Sequence, residues 1–207
     1  MDNKLKEIIA YRYIPRIAIP GFPVRGGKKY LNPEEFEKLL DGNIVVEEKL
    51  DGKLTKIDID VRASYECYAE DLHWKHNIFY NRIPISSIPF MIGIDICDTD
   101  FGEYIDYKNN IFAINHIARA PTLLKGRCEL NEIILMLDSK SEFGDQQIEG
   151  VVIKNYKNGI FGKIVNPKFD NEVDDSEHWL RKKRVSNRIN KEALIPAQKL
   201  RWSGPAL

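Results

Sequence analysis

Two runs rich in β-branched residues, IVVEEKL (44–50) and LTKIDID (54–60), flank an Asp-Gly-Lys turn. Runs of this kind bounded by turn residues read as β-strands. The first ends in Glu47-Glu48-Lys49-Leu50, and the turn begins at once with Asp51-Gly52. An apolar strand followed by a tight turn holds an amine at the rim of a sheet. Lysine is a nucleophile only when deprotonated, a state that desolvation or neighbouring positive charge, such as a bound metal, can bring about. The same residues also fit a plain hairpin whose DG turn follows a surface lysine, and K-x-D-G alone does not choose between the two.

The rest of the chain is read around that unit. Residues 12–28, rich in Pro and Gly, form an irregular arm. Asn32, Pro33 and Glu35 make a capping box for a short helix that Gly42 ends. Further strands are expected at 65–70, 90–97, 121–125, 148–154 and 160–166, and helices near 109–119 and 129–138. Strands dominate, so the expected class is α+β, with mainly antiparallel sheets flanked by helices. Residues 1–168 read as one domain, and 169–207, basic at RKKR (181–184), as a helical extension without a separate OB domain. The 207 residues suffice to bury a core without staples. Lys plus Arg equals Asp plus Glu at 31 each, so attraction for phosphate has to be local. Three dispersed cysteines in no CxxC pair read as reduced thiols of a cytosolic protein. No apolar run has the length of a membrane span. His73 and His76 have no third ligand at metal spacing, which reads as a surface role in preference to zinc.

Charges recur within the strands. Glu70 closes one, Glu149 is the second residue of IEGVVIK (148–154), and Lys154 and Lys163 follow. With Lys49 they would line one pocket, the carboxylates serving ribose hydroxyls and a divalent metal, the lysines neutralising a triphosphate. Mg²⁺ commonly sits on one or two carboxylates plus substrate phosphates, so no dedicated cage need be visible.

In this order the segments resemble the lysine-dependent nucleotidyltransferases, the superfamily of DNA ligases, RNA ligases and capping enzymes, and are most similar to the RNA ligase branch. EKLDGK resembles motif I, with Lys49 as nucleophile behind Glu47 and Glu48. AEDL (69–72) resembles motif III, with Glu70 on the ribose; IGIDI (92–96), carrying Ile94, resembles the strand that packs on adenine. EGVVIK resembles motif IV, with Glu149 as metal ligand and Lys154 at its end; GKIV resembles motif V, with Lys163 on the phosphates. Arg62 lies where the family keeps a phosphate-binding arginine. DSEHW (175–179) and the Asn-Arg pair at 187–188 resemble a segment after motif V in some RNA ligases. The chain departs from the pattern at Leu54, where Asn or Arg is usual, at Ile94, where an aromatic is usual, and at Val165, where a second lysine is usual.

The resemblance implies an ATP-dependent RNA ligase using Mg²⁺ or Mn²⁺. Lys49 becomes lysyl-AMP, AMP passes to an RNA 5′-phosphate, and a 3′-hydroxyl seals the strand. Expected partners are RNA with 5′-phosphate and 3′-hydroxyl ends and a protein that supplies end specificity. The chain is expected to act as a monomer, off the membrane, in the cytoplasm, with a phage or virus source compatible with the likeness. His178, Trp179, Arg181, Lys182, Lys183 and Arg184 are expected to hold the RNA end, a ring beside several cations. A DNA ligase, a capping guanylyltransferase and a non-catalytic RNA-binding homologue remain as alternatives.

Overall fold

A computed structural model describes residues 14–105, 110–169 and 185–190. The first helix, α1 (Pro33–Leu40), carries the expected cap: Asn32 Oδ1 accepts from the Glu35 amide at 2.8 Å, and the Glu35 carboxylate accepts from the Asn32 amide at 2.9 Å. Strands β1 (Ile44–Glu48), β8 (Thr122–Gly126), β9 (Gly150–Asn155) and β10 (Ile160–Val165) form one antiparallel sheet in the order β10-β9-β1-β8. A second sheet holds β2 (Lys53–Ile57), β3 (Tyr65–Asp71), β5 (Met91–Asp98) and β6 (Glu103–Tyr104) in that order, antiparallel, with β7 (Ala118–Arg119) parallel to β5. A short pair, β4 (Ile83–Pro84) and β11 (Ile189–Asn190), runs parallel.

The expected α+β class with mainly antiparallel sheets matches this architecture. The plain hairpin does not: β1 and β2 belong to different sheets, so Lys49–Gly52 is a crossing between sheets. The helix expected at 109–119 is also corrected. It shrinks to α2 (Ile111–Ile114), because His116 turns at φ 54° and residues 118–119 pair with β5. The helix expected at 129–138 is α3 (Leu130–Met136).

Alternation along the strands divides the first sheet into two faces. Ile44, Val46, Val151, Ile153 and Ile164 enter a core with Leu39 of α1 and Ile133 of α3, joined by Ile17 and Ile19 of the N-terminal arm. The residues between them, Val45, Glu47, Val152, Lys154, Phe161 and Lys163, share the opposite face, toward the second sheet. Leu50, just past β1, packs into another core with Leu72, Ile78, Tyr80, Ile83 and Ile92. Burial of Leu50 therefore anchors the crossing on both sides of Lys49. Among the described residues no helix is long and apolar enough to cross a membrane.

Candidate active site

Lys49 sits where β1 leaves the first sheet, its amide bonded to the Gly150 carbonyl at 2.9 Å. Its Nζ donates to the Glu149 carboxylate, and both side chains are largely withdrawn from water. Glu149 directly precedes β9, the strand next to β1, so pairing of these two strands brings the two residues together. The second sheet supplies Glu70, near the end of β3. Its Oε1 accepts from the Gly52 amide at 3.0 Å, which fastens the crossing to this carboxylate. A Cβ on Gly52 would lie 2.5 Å from the Asp71 carbonyl oxygen and close to the Glu70 side chain, so the approach requires glycine.

The electrostatics follow from burial. Desolvation pushes the Glu70 carboxyl up to about 7, opposed by Lys49 and assisted by Glu149 and Asp51. Glu149 is raised by the same burial, with Lys49 and Lys163 pulling it back. Lys163 is lowered to about 8, by desolvation first and then by the positive charges of Lys49, Arg16 and Lys28. Lys49, Glu70, Glu149 and Lys163 thus influence one another electrostatically. Sequence reasoning missed Arg16 and Lys28. The arm places Arg16 beside β10 through the bonds Ile17 N to Lys163 O and Lys163 N to Pro15 O, both 2.9 Å, and no local periodicity announces that pairing.

Other expected site residues lie elsewhere. Lys154 and Glu47 do not join the pocket. Lys154, 1% exposed, donates to Glu47 at 2.7 Å, to Asp95 at 2.9 Å and to the Ile94 carbonyl at 2.9 Å. Ile94 stands half-buried in β5, against the second core, and its carbonyl serves this lysine. Glu48 is buried against Ser141 and the Glu142 amide, and its carboxyl rises to about 7 by desolvation. Arg62 pairs with Asp100 at 3.2 Å at an exposed corner. Lys168, a spare cation near Val165, turns to Gln147 and Asp138. His73 and His76 lie in a loop. His178, Trp179, Arg181, Lys182, Lys183 and Arg184 lie outside the described residues.

Among the described residues no three His, Cys, Asp or Glu side chains gather to hold a metal by themselves. The donor set still fits a hard divalent cation. Glu149 and Glu70 are partly buried carboxylates whose charged forms are disfavoured by desolvation, a cost that a cation shared with substrate phosphates would offset.

No family model matches the sequence, and no curated protein matches it significantly. Among solved structures the chain is similar to an RNA ligase of Naegleria gruberi. A variant with AMP and Mn aligns at 15% identity and TM-score 0.45, over 66% of this chain and 53% of that one. A variant with ATP and Mn aligns at 16% identity and TM-score 0.46 over the same shares. The chain spans about half the length of these structures. A likeness this remote assigns no chemistry; the geometry of the site has to carry it.

Proposed function

We propose that the chain is a covalent nucleotidyltransferase of the RNA-ligase kind, with Lys49 taking AMP from ATP. The observation that supports this most is the Lys49–Glu149 pair at the crossing between the sheets, with Glu70 and Lys163 around it. A turn that merely linked strands would gain nothing from two desolvated carboxylates beside a lysine, because each costs free energy to bury.

In the first step the neutral Lys49 amine attacks the α-phosphorus. An N–P bond forms, the P–O bond to the β-phosphate breaks, and its electron pair leaves with pyrophosphate. The nitrogen sheds its remaining excess proton, for which Glu149 is the hydrogen-bonded acceptor. Lys163, charged below about pH 8, meets phosphate charge, with Arg16 and Lys28 beside it. Glu70 accepts the ribose hydroxyls. A divalent cation, held by Glu149 and phosphate oxygens, would supply further neutralisation when bound. AMP then passes to an RNA 5′-phosphate, and a 3′-hydroxyl displaces it to seal the strand. The extension carrying His178, Trp179 and 181–184 is proposed to hold that RNA end.

Incubation with α-labelled ATP and Mg²⁺ or Mn²⁺, followed by peptide mass spectrometry, tests the reading. The expected result is AMP on Lys49, lost in Lys49→Ala and in Lys49→Arg, whose guanidinium cannot deprotonate. A normal adduct in Lys49→Ala would overturn the reading. Labelling from GTP instead would point to a guanylyltransferase, sealing of nicked DNA alone to a DNA ligase, and RNA binding with no adduct to a non-catalytic homologue. Neutralising Arg181, Lys182, Lys183 and Arg184 together should spare adenylation and weaken RNA joining. Unchanged sealing would remove the extension from the RNA site.

A further inference from the structure

The turn that carries Lys49 is held from a part of the chain that contributes nothing to the pocket. Asp51, two residues after Lys49, is almost fully buried. Its carboxylate accepts from the amides of Asn77 and Ile78 at 2.5 and 2.7 Å, and its own amide donates to the Tyr80 hydroxyl at 2.9 Å. Residues 72–80 therefore wrap the turn from outside. That loop is in turn sewn to residues 185–190, more than a hundred positions later. Asn187 is 3% exposed and spans the loop. Its Nδ2 donates to the Leu72 carbonyl at 2.7 Å, and its Oδ1 accepts from the Tyr80 amide at 2.9 Å. The Asn187 amide donates to His73 O at 3.0 Å, and the Arg188 amide to Tyr80 O at 2.9 Å.

We propose that Tyr80 and Asn187 are positioning residues for the Lys49 amine, so that the segment after the last pocket strand sets the aim of the nucleophile. This rests on the nucleotidyltransferase reading above. Tyr80 has no exposed surface, and its ring fills the core beside Leu50. Three carboxylates, Glu48, Asp51 and Glu149, bear on its hydroxyl, and burial raises its pKa well above the ordinary tyrosine value. It therefore stays neutral and offers the Asp51 amide an uncharged acceptor. Without that oxygen the amide is buried with no partner, and the turn must shift to find one. A shift of about 1 Å at a nucleophile can cost on the order of 100-fold in rate. Asn187 acts one step further out, fixing both ends of the loop that carries Tyr80.

Tyr80→Phe removes the hydroxyl and keeps the ring; Asn187→Asp keeps the acceptor and removes the donor to Leu72. Adduct formation is followed in the intact chain against ATP concentration, with rates taken on the fraction that thermal melting shows to be folded. The expected result is a fall in kcat of about 10- to 100-fold in Tyr80→Phe and a smaller fall in Asn187→Asp. KM for ATP should stay within about twofold, because aim is lost and not affinity. A purely architectural role would leave kcat of the folded fraction at the parent value, and that outcome, or a loss confined to KM, overturns the inference. An inert parent chain overturns the nucleotidyltransferase reading and this inference with it; an active parent with two unaffected variants overturns this inference alone.

Discussion

Lys154 and Lys49 both face carboxylates where the two sheets meet, and the structure treats them in opposite ways. An ammonium group has three donors. Lys154 uses all three, on Glu47, Asp95 and the Ile94 carbonyl, in a place almost without solvent. Glu47 and Asp95 hold its pKa above the ordinary lysine value although burial alone would lower it. The Tyr156 hydroxyl completes the cluster by donating to Asp95 at 3.1 Å. Because Glu47 and Lys154 belong to the first sheet and Asp95 to the second, the cluster is a staple between sheets. Lys49 has one hydrogen-bonding partner for its Nζ among the described residues, Glu149, and its side chain is 22% exposed. One cluster is saturated and closed; the other leaves donors of Lys49 unused and its side chain partly exposed. A charge in a strand does not reveal its use, whereas the saturation of its donors does.

The largest effect expected from this contrast is on stability. Lys154→Met removes the buried cation that Glu47 and Asp95 share, leaving Glu47 the more distant Arg119 at 3.7 Å, and should cost about 3–5 kcal/mol. Lys49→Met, at the open site, should change stability by no more than about 1 kcal/mol. Urea denaturation of both variants decides it, and similar losses at the two sites would remove the distinction between the Lys154 staple and the Lys49 site.

The next effect is on chemistry. Glu149→Ala and Lys163→Ala should each slow adduct formation by about 100- to 1000-fold, while the fold persists. Glu149→Ala should also blunt the response to Mg²⁺. Parent-like adduct yield with parent-like metal dependence in both would place the phosphates elsewhere.

The contrast explains what could be read from the sequence. Helix α1 was legible because its cap is local, a matter of Asn32 and Glu35 three residues apart. The strands were legible because apolar alternation is local too. Periodicity tells which residues share a face of a strand but not which sheet that face meets. Lys154 and Lys163 share one face of the first sheet, so alternation cannot separate the staple from the site. The separation depends on Asp95 of the second sheet, 59 residues from Lys154. For the same reason the Lys49 turn could pass for a hairpin, Arg16 carried no local mark, and the Asn187-Arg188 pair gave no sign of its bonds to Leu72 and Tyr80.

A smaller effect, in pH, tests whether a buried carboxyl beside Lys49 behaves as the closed environment requires. Burial raises Glu48 from 4.5 to about 7. Between those values the folded chain holds more protons than the unfolded one. The stability linked to Glu48 is therefore fully present below about pH 4.5 and lost as pH rises through about 7. The loss is on the order of 3 kcal/mol, since one pKa unit corresponds to about 1.4 kcal/mol. Glu48→Gln is neutral throughout, so its stability relative to the parent should climb across this window. A constant difference between the two from pH 5 to 8 would show that Glu48 does not titrate there.

The smallest effect concerns the charge pair that is neither stapled nor reactive. Arg62 and Asp100 meet at 3.2 Å with both side chains more than half exposed, and the guanidinium also lies 5.7 Å above the Tyr65 ring. The sequence resemblance would give Arg62 a phosphate, but here its guanidinium is held by Asp100. Exposed pairs are worth about 0–1 kcal/mol, and salt screens them. Arg62→Ala should therefore lower stability by less than about 1 kcal/mol and leave the rate of lysine adenylation within about twofold of the parent. Adduct kinetics at low and high salt separate the two assignments. A loss on the scale of Lys163→Ala, present at both salt concentrations, would mean that the corner closes over the triphosphate when ATP binds. A small, salt-sensitive change in stability with unaltered kinetics would leave Arg62 as an ordinary surface cation and confine the phosphate-binding charge to Lys163, Arg16 and Lys28.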